Sequence, residues 1–155
     1  MKRLLEAVAT LGPVGYAPRA PATVASALTA LAGWFLPPPP FPLAILLLLI
    51  GFGLACWICE LAEQRLGHDA HPIVLDEVIG QSIALLGAPH AWPAYLTAFV
   101  LFRILDIWKP LGAREAQSLP GGIGVVSDDV IAGLASCVAL HALLWAARVS
   151  GLGIG

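Results

Sequence analysis

Nineteen consecutive uncharged residues, Phe41 to Cys59 (FPLAILLLLIGFGLACWIC), constrain this chain more than any other stretch. As a helix they rise about 28 Å, close to the roughly 30 Å of a bilayer's hydrocarbon core, whereas a small water-soluble domain has little interior in which to hide them. Val130 to Val149 is broken only by His141 and Arg148, Ile73 to Ala88 and Trp92 to Trp108 carry their charges near one end, and Val24 to Phe35 is the shortest apolar stretch. The expected fold is all-α: a polytopic membrane helix bundle of four to five membrane helices, in one domain over residues 1–155. The composition is 59% hydrophobic and 12% charged with mean hydropathy +0.86, well beyond that of an average soluble domain. A net charge of −2 offers no basic footprint for nucleic acid.

Orientation follows from the basic residues. If the helices alternate, Lys2, Arg3, Arg19, Arg65, Arg103, Lys109 and Arg114 fall on one side, while the tips around Pro37 to Pro42 and Gly87 to Pro93 carry none; that side is cytoplasmic. Arg148, near the far end of the last helix, snorkels to the head groups. MKRLLEAVATL is expected as a short interfacial helix with Leu4, Leu5, Val8 and Leu11 on one face, because Glu6 and Gly12-Pro13 interrupt what would otherwise be a signal-peptide core. Pro37 to Pro40 form a stiff polyproline turn.

Charge beside such apolar runs costs a few kcal/mol or more unless it is paired, hydrated or bound to a metal. Three clusters carry it: Asp76-Glu77 in IVLDEVIG, Arg103, Asp106 and Lys109 in FRILDIWKP, and Asp128-Asp129 in GGIGVVSDDVIAG. Acidic doublets near Arg and Lys suggest a divalent metal holding a phosphate. The structural alternatives are an interfacial salt bridge for Arg103, Asp106 and Lys109, spaced i, i+3, i+6 on one helix face, and N-capping by Asp128 where a helix starts. VLDEVI and VSDDVI share V-x-D-[DE]-V-I; if the match is structural, Gly80 and Gly133 lie one turn on and let the two helices approach closely. Asp69 in GHDAHP offers another oxygen, whereas His68 and His71 solvate that loop, since an oxygen-rich site suits Mg²⁺ and imidazole suits softer ions. Cys56 and Cys59 form a CxxC in an apolar helix with no second ligand pair and read as small core residues. Cys59 and Arg65 match the bare C-x5-R spacing of cysteine phosphatases, but Glu60 and Glu63 between them would repel the anion.

These segments together resemble the phosphatidylglycerophosphatase A family of bacterial lipid phosphatases. The likeness covers nearly the whole chain: HD followed by IVLDEVIG, then FRILDIWKP, then GGIGVVSDDVIAG, in the family's order and at similar spacing. GYAPRAPATVAS is similar to the family's N-terminal motif, retaining Pro18, Pro21, Thr23 and Ser26, with Ala22 and Ala25 where the family usually carries glycine. The resemblance implies a Mg²⁺-dependent phosphomonoesterase of the inner membrane that converts phosphatidylglycerophosphate to phosphatidylglycerol. On that basis Asp76, Glu77, Asp128 and Asp129 are expected to hold one or two Mg²⁺, with Asp106 and Asp69 completing or ordering the shell. Arg103 and Lys109 would bind the terminal phosphate, and Thr23 and Ser26 would hydrogen-bond the head group. Water is the expected nucleophile, because no DxDxT-like motif is present and no Ser or Cys lies beside a convincing base. A small transporter or channel with an acidic path, and a non-catalytic membrane subunit, are the competing classes; acids gathered at one face beside an Arg/Lys pair argue against a path through the bilayer. Small residues such as Ala132, Ser136 and Cys137 permit close helix packing without specifying an oligomer.

Overall fold

The computed structural model describes residues 2–67, 70–109 and 119–151, and among these the regular structure is helical throughout. Helix α1 (Lys2–Ala9) leads through a single 3-10 turn (Val14–Tyr16) to α2 (Pro21–Phe35), α3 (Phe41–Leu66), α4 (Leu75–Ala84), α5 (Trp92–Trp108) and α6 (Gly122–Val149). Proline and glycine set most boundaries. Proline sits in the first turn of α2, α3 and α5, where its missing N–H would be unpaired in any case. Pro37 to Pro40 hold the chain extended between α2 and α3, and Pro21 opens α2 midway through the GYAPRAPATVAS segment, whose last six residues are helical. Gly67, at φ 99°, ends α3 in a conformation that side chains resist.

The short helix α4 lies at the centre. It packs against α6 most extensively and also touches α2, α3 and α5; α5 and α3 flank α6, α2 leans on α5, and α1 lies along α3. Helices α4 and α6 cross glycine on glycine, at the two positions the short repeat would bring together if it were structural. A Cβ on Gly133 would stand 2.4 Å from the Gly80 carbonyl oxygen, and one on Gly80 would meet the Phe102 ring at 2.6 Å and the Asp129 carbonyl oxygen at 2.7 Å. The backbones of α4 and α6 are therefore in contact, and fully buried Phe102 fills the angle between them and α5.

Among the described residues two helices, α3 and α6, are long and apolar enough to cross a membrane. In a soluble protein such helices would be core, yet only 6% and 22% of their most apolar stretches are buried. Leu46, Leu49, Ile50, Val138, Leu143 and Trp145 all lie more than half exposed. The segment expected to span from Ile73 to Ala88 is instead a ten-residue helix rising about 15 Å, half a hydrocarbon core, enclosed by its neighbours. A second difference is that α6 begins at Gly122, six residues ahead of Asp128, so neither Asp128 nor Asp129 is an N-cap. Its start is capped from outside: the Gly122 N–H donates to Glu60 Oε2 at 2.8 Å, and a Cβ at Gly122 would lie 1.9 Å from the Cys56 carbonyl oxygen. Cys59 is fully buried and Cys56 partly so, both as free thiols.

Candidate active site

The acidic clusters converge on the enclosed end of α4. Its first turn carries Asp76 and Glu77, α5 brings Arg103 and Asp106, the second turn of α6 brings Asp128 and Asp129, and α2 contributes Ser26. Arg103 Nη1 lies 2.5 Å from Glu77 Oε2 and 3.2 Å from Asp106 Oδ2, so one guanidinium edge holds two carboxylates. Ser26 Oγ stands 2.9 Å from the same oxygen, Glu77 Oε2, 3.4 Å from Arg103 Nη1 and 2.8 Å from the Ala22 carbonyl oxygen, so hydroxyl and guanidinium meet at one carboxylate oxygen. Glu77, Asp106, Asp128, Asp129 and Ser26 are all buried.

Glu77, Asp106 and Asp129 each present an oxygen within 4.8 Å of the other two, a separation over which one metal ion could be shared. Three carboxylates against the one guanidinium leave two formal negative charges, the charge of one divalent cation. Asp129 Oδ2 is buried and has no hydrogen-bond partner among the described residues. Carboxylates normally reach such a position only when paired or coordinated. All three donors are hard oxygens, the set favoured by Mg²⁺, Ca²⁺ or Mn²⁺ over softer metals. The residues present therefore fit a cation.

Asp128 points elsewhere. Its Oδ2 accepts from Lys109 Nζ at 2.6 Å, its Oδ1 accepts from the Asp129 N–H, and the Lys109 side chain is a quarter exposed at the rim. Lys109 is also the residue that ends α5, at φ 47° and ψ 54°. Helices usually place glycine or asparagine in that left-handed cap; a lysine accepts the strain where its side chain is needed. Half-burial alone would lower the ammonium's pKa, but the hydrogen bond and charge of Asp128, with Asp106 and Asp129 nearby, outweigh it and hold the pKa above the usual lysine value.

Asp76 is half-buried, its Oδ1 accepting from the Glu77 N–H, and Thr23 lies in the first turn of α2, one turn before Ser26. Asp69, His68 and Arg114 lie outside the described residues. Sequence reasoning passed over Gln81 and Glu60. Gln81 is fully buried one turn below Glu77, with both amide atoms lacking a partner among the described residues. A lone amide in the apolar run IGQSIALL was the available signal. In the sequence Glu60 reads only as a repellent charge, because its role as a cap depends on Gly122, 62 residues away.

Comparison with known proteins gives the class first. A protein of Bacteroides thetaiotaomicron, named provisionally as a phosphatidylinositol-3-phosphatase, is 38% identical over 140 residues, covering 84% of this chain and 87% of its own. The Escherichia coli phosphatidylglycerophosphatase A is 36% identical over 131 residues, 82% of this chain and 76% of its own, and the Haemophilus influenzae protein of the same name is 37% identical over 95 residues, 59% and 58%. No solved structure matches. The chain is thus a phosphatase. It belongs to the phosphatidylglycerophosphatase A family, whose model matches residues 7–144.

Proposed function

We propose that this enzyme removes the terminal phosphate of phosphatidylglycerophosphate with Mg²⁺ as cofactor, at the cytoplasmic face of a bacterial inner membrane. The observation that carries the reading is the buried Glu77, Asp106 and Asp129 group, two charges short of neutrality beside Arg103. Glu77, Asp106 and Asp129 would ligate Mg²⁺, with Asp76 and Asp128 acting through water and Asp69 as a further oxygen. When bound, Mg²⁺ would neutralise phosphate charge and lower the pKa of an attacking water.

The chain's own residues bind and orient. A phosphate monoester carries close to two negative charges at neutral pH, so it must meet positive charge before a nucleophile can approach. Arg103 is fixed by Glu77 and Asp106 through one nitrogen, and its buried Nε has no partner among the described residues, which leaves guanidinium donors for phosphate oxygens. Lys109, steered by Asp128, adds positive charge at the rim where the head group enters. Ser26 holds the Glu77 carboxylate in place, while Thr23, one turn nearer the start of α2, is the head-group hydroxyl. Hydrolysis joins the water oxygen to phosphorus, breaks the bond to the glycerol oxygen and delivers a proton to that oxygen.

Depth supports the membrane assignment. The twenty residues from Val130 to Val149 rise about 30 Å, so α6 crosses a hydrocarbon core immediately beyond Asp129 and leaves the acids at its edge. Purified protein should release phosphate from phosphatidylglycerophosphate, lose that activity in EDTA, regain it with Mg²⁺, and keep it after thiol alkylation. Hydrolysis that survives thorough chelation would remove the metal from the mechanism. Faster release from phosphatidylinositol 3-phosphate, in line with the Bacteroides relative's name, would reassign the head group.

A further inference from the structure

Between α2, α3 and α4 lies a half-open apolar groove of about 700 Å³. Helices α2 and α3 are consecutive in the chain yet do not form a close pair, and Val78, Ile79 and Ser82 of α4 form the floor between them. One wall is a helical stripe on α2 that runs from Ala25 through Thr29 and Ala32 to Leu36; the facing wall on α3 comprises Phe41, Ala44 and Leu48. Leu11 and Val14 close the end nearest the acidic cluster, and Pro37 to Pro39 close the other. Thr29, one of few polar side chains in the lining, spends its hydroxyl on the Ala25 carbonyl of its own helix, so the surface offered is hydrocarbon.

The groove leads to the acidic site. Ala25 and Val78 line it, and their chain neighbours Ser26 and Glu77 touch each other at 2.9 Å. Asp76 stands one turn above Ile79, which lies in the floor, and residues three apart on a helix are side-chain neighbours. Continuity with the site decides the occupant: a phospholipid whose phosphate sits at the head of α4 carries its acyl chains beside it, and the hydrocarbon-lined groove opens at that point, between Ala25 and Val78.

We propose that this groove holds one acyl chain of the phospholipid substrate, entering sideways between α2 and α3 so that its phosphate arrives at the head of α4. The proposal rests on the phospholipid-phosphatase reading above. It gives the enzyme a preference for chain length that the acidic cluster alone would not produce.

The test uses the full-length protein in mixed micelles with dipalmitoyl and dihexanoyl phosphatidylglycerophosphate, comparing unaltered protein with Ala32→Trp, Ala44→Trp and the outward-facing control Leu46→Trp. The ratio of long-chain to short-chain kcat/KM should fall at least tenfold in the two groove variants and stay at the unaltered value in Leu46→Trp. Equal ratios in all four proteins would overturn the proposal. A second measurement needs no turnover. A dipalmitoyl probe with the same head group and a diazirine at the end of one acyl chain should label peptides holding Thr29 to Leu36 and Ala44 to Leu48, and Ala32→Trp should abolish that labelling. Labelling spread evenly over the exposed faces of α3 and α6, or a cross-link to a second copy through the groove, would refute it. If the unaltered protein releases no phosphate from either lipid, the phosphatase reading fails on its own account, while the labelling pattern still decides whether the groove takes an acyl chain.

Discussion

At the scale of single residues, the carboxylates are held in different ways, and that difference separates catalysis from folding. Glu77 is the buried counter-ion of Arg103, whereas Asp129 has an oxygen that nothing in the described protein satisfies. Asp129→Asn should therefore leave thermal unfolding nearly unchanged and cut phosphate release by at least about 100-fold, the size of a lost electrostatic contribution to the transition state. Glu77→Ala should lose activity and also stability, by about 3 to 5 kcal/mol, because it leaves the guanidinium buried with only Asp106. Denaturant titration in detergent alongside phosphate-release assays distinguishes the two. An Asp129→Asn protein that unfolds while its folded fraction keeps full activity would return this residue to a structural role. Lys109→Ala should weaken turnover at every Mg²⁺ concentration, since it removes a rim charge and not a ligand, whereas the Asp129→Asn defect should be partly rescued by raising Mg²⁺.

At the scale of helices, the arrangement depends on the crossing of α4 and α6. Those backbones touch at Gly80 and Gly133, so any side chain there must separate the two helices that carry Glu77 and Asp129. Gly133→Val should abolish folded yield or activity. Gly53→Ala on α3 meets no atom within 4 Å and should be neutral or stabilising by up to about 1 kcal/mol, because alanine loses less backbone freedom in a helix. Monodispersity in detergent and thermal unfolding measure both, and a well-folded, active Gly133→Val would contradict the close crossing. The capping of α6 by Glu60 belongs to this scale too: it ties the start of the last helix to α3.

For the molecule as a whole, the two ends of the bundle differ in chemistry. One gathers Arg65, Arg103, Lys109 and the acids; the other holds Trp34 stacked on His90 at 4.7 Å, with Tyr95 edge-on, and His141 beside the Gly87 carbonyl oxygen. Aromatic side chains at an interface and basic ones on the cytoplasmic side are the usual membrane polarity. Single cysteines introduced at Gly121's neighbour Pro120 and at Pro39 should react with an impermeant maleimide from opposite faces of intact cells, Pro39 from outside. Both reacting from outside would overturn the orientation and the cytoplasmic site.

The helical class, the apolar runs of α3 and α6, the three acidic clusters and the family are legible without a fold, because each is written in contiguous residues: a long uncharged run, a doublet, a motif in order. The repeated six-residue pattern points to Gly80 and Gly133 only on condition that so short a match is structural and not chance; the fold supplies the contact itself. Tertiary structure alone decided that α4 is a short buried helix and not a span, since an apolar run reads alike whether its partner is lipid or protein. It also decided which acids meet. Asp128 and Asp129 are adjacent in the chain, yet a helix turns about 100° per residue, which sends one to Lys109 and the other toward Glu77 and Asp106. Partner choice of that kind depends on which helices close around a site, and no local pattern contains it.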